Sequence, residues 1–292
     1  MKFTYNIAGL PVESDFSPGP AYDNFITDSE RDSHGQFPAG ITFVKCNVQR
    51  ESSPLFSVSQ EQFNVCAYAD GFLFESPLDH GAKVFSNLSY TECKVAEGPG
   101  LEHLIRLVLE SRLIHEGKIT LHSSCISAPD GAFCLTGVSG VGKSTRAAAF
   151  CEMPGFELIS GDRPLIDCIC PDAYGVPWDG KEALFINKRL PLRAVFCVRR
   201  LDETENPCRA SSGTIMPAAE SLRLLTEKGA YQQLIVQTFL PMWDTDTAAM
   251  AMGNLKKLVS HLGIYELTSG PDSESAKKSW EIIRKEVMYE DK

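Results

Sequence analysis

Over the first 98 residues, apolar positions fall in short runs with strand-like alternation; further along they recur at three- and four-residue steps. Ile41–Gln49 and Phe63–Tyr68 are rich in β-branched and aromatic residues, so both are expected as strands. Asp70-Gly71 before Phe72-Leu73-Phe74 predicts a hairpin turn, and another strand pair is expected between Lys83 and Val95. Residues 1–98 therefore read as a small antiparallel, β-rich domain without recognisable chemistry. Gly98-Pro99-Gly100 breaks the pattern and opens a second domain, 99–292. Leu101, Leu104, Ile105, Val108, Leu109 and Leu113 place one apolar stripe on a helix over 101–115. Strands are expected near 118–127 and 131–136, with Pro129-Asp130-Gly131 as the turn. A helix follows near 143–152, then strands near 156–160, 164–169 and 193–198. The last hundred residues read as mostly helical. Met252, Leu255, Leu258, Val259 and Leu262 form a stripe that Gly263 is placed to cap. A short strand at Ile264–Leu267 precedes a final helix over 273–288, with Ala276, Trp280, Ile283 and Val287 on one face. The fold class is α/β, or α+β taken as a whole.

Composition narrows the function classes. With 28 basic and 38 acidic residues the net charge is −10, which disfavours a general nucleic-acid binder because phosphate backbones repel such a chain. No apolar run approaches the roughly 18 residues of a membrane span. The start, Met1 to Asn6, has no apolar stretch behind a basic residue, so no secretory signal is expected and a cytoplasmic location is. Most of the ten cysteines lie in apolar runs and read as free, buried thiols of a reducing compartment. Cys168-x-Cys170 is the one close pair, and no second pair completes a zinc set.

One segment carries chemistry. Gly137-Val138-Ser139-Gly140-Val141-Gly142-Lys143-Ser144 fits G-x-x-x-x-G-K-[ST] at every fixed position. Glycines let successive backbone N–H groups turn inward onto phosphate oxygens, and a helix starting near Lys143 aims its positive end at the same point. Lys143 supplies a point charge for the β- and γ-phosphates. Ser144, with Thr145 beside it, offers a hydroxyl to Mg²⁺. Chance produces such a match about once in a hundred chains of this composition. The apolar run Ala132–Leu135 before it and Arg146-Ala147-Ala148-Ala149 after it supply the strand–loop–helix order that the motif requires. A metal-linked acid is then expected, and Asp162 in Ile159-Ser160-Gly161-Asp162-Arg163-Pro164 ends an apolar run where ligands bind in open α/β sheets.

From about 118 to 200 these residues resemble the HPr kinase/phosphorylase family, whose core is shared with ATP-dependent phosphoenolpyruvate carboxykinase. The resemblance rests on Leu121-His122-Ser123, the Gly137–Thr145 loop and Ile159-Ser160-Gly161-Asp162-Arg163. A weaker similarity covers Ile264–Thr268 and Pro271-Asp272. It implies a phosphotransferase that uses ATP and Mg²⁺ to phosphorylate a hydroxyl, often a serine, of a small molecule or peptide. It puts His122 near the phosphates and pairs Asp162 with Ser144 at the metal. The family carries two adjacent acids at the strand end. Here the first, usually assigned as the base, is Gly161. Phosphoryl transfer depends mainly on positioning and charge, so a missing base slows it without forbidding it.

The polar loop Tyr174–Glu182 is a further candidate: Asp179 or Glu182 as a base and Lys181 as the cation for the transferred phosphate. Arg189 and Arg193 could reach phosphates or could be surface residues. His34, His80, His103, His115 and His261 have no ligand-like partners. Two rival readings remain. One is a non-catalytic ATP-binding accessory protein, which Gly161 favours. The other is a carboxykinase-type lyase, whose extra metal ligands and carboxylate clamp are not found. The family's oligomers leave a homo-oligomer open.

Overall fold

The computed structural model describes residues 2–27, 40–178, 185–201 and 220–287. Mixed α/β structure is observed, with a β-rich amino-terminal part and helices toward the carboxyl terminus. The chain divides into two compact units, residues 1–119 with 239–253, and residues 120–238 with 254–292. The Gly98–Gly100 break begins a helix, but the units part only after Ile119. Among the described residues, no helix is long and apolar enough to cross a membrane.

The first unit is one eight-stranded sheet in the order β1-β2-β3-β8-β7-β6-β5-β4. The strands are β1 (Phe3–Ile7), β2 (Leu10–Ser14), β3 (Ile41–Lys45), β4 (Phe56–Ser59), β5 (Asn64–Tyr68), β6 (Gly71–Glu75), β7 (Lys83–Asn87) and β8 (Glu92–Ala96). The expectation of a purely antiparallel sheet needs correcting. β3 pairs parallel with both β2 and β8, because the chain between β2 and β3 is long enough to cross back. The β5–β6 turn is also displaced by one residue: Gly71 already pairs with Tyr68. α1 (Leu101–His115) starts after Gly100, packs on β7 and carries Arg112 and His115 in its last turn, where cations suit the helix dipole.

Residues 239–253 return to this unit through aromatic packing. Trp243 lies edge-on to Phe63 and Phe74 at 5.7 and 5.3 Å. Its indole N–H donates to the Tyr90 hydroxyl at 3.2 Å, and that hydroxyl donates to Asp244 at 2.9 Å. His115 Nε2 lies 3.0 Å from the Thr247 hydroxyl in the same network.

The second unit is built on β10 (Ser123–Ala128), β11 (Gly131–Thr136), β12 (Glu157–Ser160) and β15 (Arg189–Arg200), with β9 (Lys118–Thr120) leading in. β10 is antiparallel to β11 and β12, and β11 is parallel to β15. Every residue of β10 and β11 is buried, as expected for strands covered on both faces. β15 is parallel to β17 (Ile264–Ser269), which pairs with β16 (Ser221–Leu224). The first part of β15 pairs with β14 (Asp172–Tyr174), which pairs in turn with β13 (Leu165–Asp167). The carboxyl-terminal segment is thus less uniformly helical than its stripes suggested. Its helices are α3 (Glu227–Ile235), α4 (Thr245–His261) and α5 (Ser273–Val287), of which α5 packs with α2 (Lys143–Cys151) over the sheet. Phe133 stacks on Phe196 at 5.7 Å and meets Trp280 of α5 edge-on at 5.8 Å.

α4 ends at His261, and Gly263 is not the left-handed cap its position suggested; its φ is not positive. A Cβ there would lie 2.7 Å from the Tyr265 ring, so the close approach of that ring explains the glycine.

Candidate functional site

The hairpin β10–β11 and strand β12 bring three separated segments to one sheet edge. β11 ends at Thr136, whose hydroxyl donates to the His122 carbonyl at 2.8 Å. The Ser123 N–H donates to the Asp162 carbonyl at 2.8 Å, and the Ser124 hydroxyl to the Gly161 carbonyl at 2.8 Å. The His122 N–H donates to the Gln237 carbonyl at 2.7 Å. The backbones bearing His122 and Asp162 are therefore fixed where the glycine-rich loop leaves β11.

The loop runs from Gly137 into α2. Gly137, Gly140 and Gly142 take φ of 144°, 79° and 92°, the region L side chains avoid. Gly142 has a second reason to be glycine, because a Cβ would lie 2.6 Å from Arg146 Nη1. Val138 and Ser139 at the loop tip are exposed, as are Ser144 and Thr145 on the first turn of α2. Lys143 is only 9 % exposed. Its Nζ donates to the Gly137 carbonyl at 3.0 Å and lies 3.4 Å from the Val138 carbonyl. Burial holds the Lys143 pKa below the usual lysine value, with Asp162 opposing.

Asp162 lies between an imidazole and a guanidinium. Its Oδ1 lies 3.5 Å from His122 Nε2 and its Oδ2 lies 3.5 Å from Arg163 Nε. At 29 % side-chain exposure it keeps access to solvent. The structure thus brings His122, Lys143 and Asp162 together with Arg163. Gly161 places no acid beside Asp162.

Lys181, Asp179 and Glu182 lie outside the described residues. The preceding Tyr174–Trp178 segment is buried, with Trp178 a core residue. Arg189 forms an exposed ion pair with Asp172, and Arg193 donates to the Asp130 carbonyl at 2.6 Å, so both have local partners.

One residue in the site gave no signal in the sequence. Arg146 reads there as part of a helix-forming run, yet it is 2 % exposed. Its Nη1 donates to the Val141 carbonyl at 2.6 Å and approaches that of Gly142 at 3.3 Å; its Nη2 donates to the Ser269 carbonyl. This guanidinium ties the loop to the end of β17. A Cβ at residue 142 would crowd it, so the glycine leaves space for it.

His122 gives the site a pH dependence. Burial lowers its pKa from the ordinary 6.5; Asp162 raises it, and Lys143 and Arg163 lower it further. His115 in the first unit is also lowered, first by burial and then by Arg112. Below pH 6.5 the unfolded chain protonates these imidazoles first. Stability should therefore fall from there until the pH passes below the depressed folded values. In urea unfolding from neutrality to about pH 5, wild type should lose more stability than the His115→Gln/His122→Gln double variant. Parallel pH profiles would show that neither imidazole is perturbed.

A hydroxyl and a carboxylate are hard oxygen donors that suit Mg²⁺. Among the described residues no cluster of three metal-binding side chains occurs. A metal held by Ser144 and Asp162 would therefore take its remaining ligands from phosphate oxygens and water, as Mg²⁺ ordinarily does. No family model matches the chain, and no curated protein does either.

Proposed function

We propose that the chain is an ATP-dependent phosphotransferase with an HPr kinase-like core of the kind shared with phosphoenolpyruvate carboxykinase. It would bind MgATP on Gly137–Thr145 and pass the γ-phosphoryl group to a hydroxyl of a small molecule or peptide. The observation that carries this reading is the gathering of Lys143, His122 and Asp162 at the loop. Lys143 in its resting position donates to two loop carbonyls. A phosphate chain in the cradle would give that ammonium stronger, charged acceptors.

The roles follow from the side chains present. Inward-turned amides and the start of α2 hold the phosphates. Lys143 and Arg163 balance the charge that spreads over the transferred group. Asp162 and Ser144 would hold Mg²⁺, which would neutralise further phosphate charge when bound. The acceptor oxygen forms its bond to the γ-phosphorus as the β–γ bridging bond breaks and ADP leaves. His122, neutral at pH 7 because burial lowers its pKa, is the group available for the acceptor's proton. It would stand in for the acid missing at Gly161.

Steady ADP release in the presence of a hydroxyl acceptor is the test, with Asp162→Asn as its control. The variant should need markedly more Mg²⁺ for half-maximal turnover. Turnover with unchanged Mg²⁺ dependence would remove Asp162 from the metal. Tight ATP binding without turnover on any acceptor would favour the second reading, a non-catalytic nucleotide-binding accessory protein, to which Gly161 lends support.

A further inference from the structure

The eight-stranded sheet of the first unit is closed at one edge and open at the other. At the β1 edge, Tyr5 bridges to Ile26, and the Thr27 N–H donates to the Thr4 carbonyl at 3.0 Å. At the far edge, β4 pairs with β5 alone among the described strands. The register fixes what that edge offers. The Gln60 N–H donates to the Phe63 carbonyl at 2.8 Å, and Ser59 stands opposite Asn64. Bonds to β5 therefore fall on Phe56, Val58 and Gln60, because they alternate along an antiparallel pair. The backbone N–H and C=O groups of Ser57 and Ser59 point away from the sheet. Phe56 and Val58 stand opposite Ala67 and Val65, whose side chains are buried, so the apolar face of the sheet continues to this edge. There it is uncovered: Leu55 is 70 % and Phe56 50 % exposed. Natural sheets usually blunt such an edge with charge.

We propose that β4 is a self-association strand, pairing antiparallel with β4 of a second copy about a twofold axis at Ser57. In that register the two Ser57 residues exchange both backbone bonds, and each Ser59 N–H donates to the Leu55 carbonyl of the other copy. The Leu55 N–H is already given to the Ala67 carbonyl at 2.8 Å and Pro54 has no N–H, so the pairing ends there. Each Phe56 meets Val58 of the other copy at the closer, non-hydrogen-bonded position, joining the two apolar faces. The charges favour a like partner. Residues 52–60 carry none, in a chain whose net charge is −10. Glu51 and Glu61 flank the segment, and in this register neither faces a like charge. A twofold contact presents the same patch on both copies, so the strand is its own complement. Only Leu55–Ser59 takes part, which places the contact at the small, weak end of interfaces, with a Kd on the order of tens of micromolar.

Sedimentation of the full chain up to roughly 200 µM tests this. Wild type should pass from monomer to dimer over that range. Ser57→Pro removes an outward N–H and no bond to β5. Ser57→Lys sets two ammonium groups against each other on the axis. Each should weaken the dimer at least roughly tenfold. Leu88→Lys, at an exposed apolar residue outside the edge, should leave it unchanged. In wild type, the Ser57 and Ser59 amides should exchange hydrogen more slowly as concentration rises. A chain that stays monomeric throughout would leave the edge to a foreign strand or to none, and would overturn the proposal. So would a dimer that both Ser57 variants retain, or one in which exchange at those two amides does not slow.

Discussion

On the proposed reading MgATP should stabilise the folded chain, and Lys143→Ala should abolish most of that stabilisation. A ligand that binds only the native state contributes RT ln(1 + [L]/Kd), about 2.7 kcal/mol at a hundred times Kd. The ammonium is the one lysine of the loop and is largely withdrawn from water. Its attraction to phosphate is therefore less screened than at a surface. The apo variant should also lose some stability, because it gives up a hydrogen bond to Gly137, a longer contact with Val138 and the attraction of Asp162. A hydrogen bond from a charged donor contributes about 1.5–3 kcal/mol. Thermal unfolding with and without saturating MgATP separates the two effects. A variant that gains the same shift with MgATP as wild type would mean that the nucleotide does not bind on this loop.

How much of the molecule the sequence disclosed depended on whether the cause was local. α1 follows from its own three- and four-residue spacing, and the structure bounds it at Leu101–His115. The loop and α2 follow from a motif whose glycines are needed for their backbone angles. The β1–β2 hairpin escaped because its turn is Ala8-Gly9. Ala8 takes a φ of 53°, which sequence rules reserve for glycine, asparagine and aspartate, and the Asn6 side chain accepts from the Gly9 N–H to hold it there. The return of 239–253 to the front sheet also escaped, since it depends on Trp243 meeting Phe63 and Phe74 across a long stretch of chain. Within the candidate site, His122 and Asp162 were legible as motif residues. Their 3.5 Å pairing is a product of the β10–β11 and β10–β12 registers, and no local pattern announces it.

Arg146 is the extreme case, and its removal should have the largest effect on stability. An arginine in an alanine-rich helix reads as a solvated side chain. Here its guanidinium donates to carbonyls at both ends of a gap, Val141 on the loop and Ser269 at the end of β17. Gly142 keeps its helical bond from the Arg146 N–H, so its carbonyl retains a partner when the side chain is removed. The carbonyls of Val141 and Ser269 lose a charged donor. Hydrogen bonds to charged groups contribute about 1.5–3 kcal/mol each, so losing two of them in Arg146→Met should cost roughly 3–6 kcal/mol. Methionine keeps much of the apolar stem, which separates the loss of hydrogen bonding from a loss of packing. Arg189→Met is the matched control. That arginine is 63 % exposed in its pair with Asp172, and surface pairs contribute about 0–1 kcal/mol. The loop, released from β17, should also bind tripolyphosphate less tightly in Arg146→Met. Equal urea midpoints for the two variants would mean that the guanidinium does not tie the loop to the sheet in solution, and the proposal of a phosphate cradle held in place before binding would lose its support.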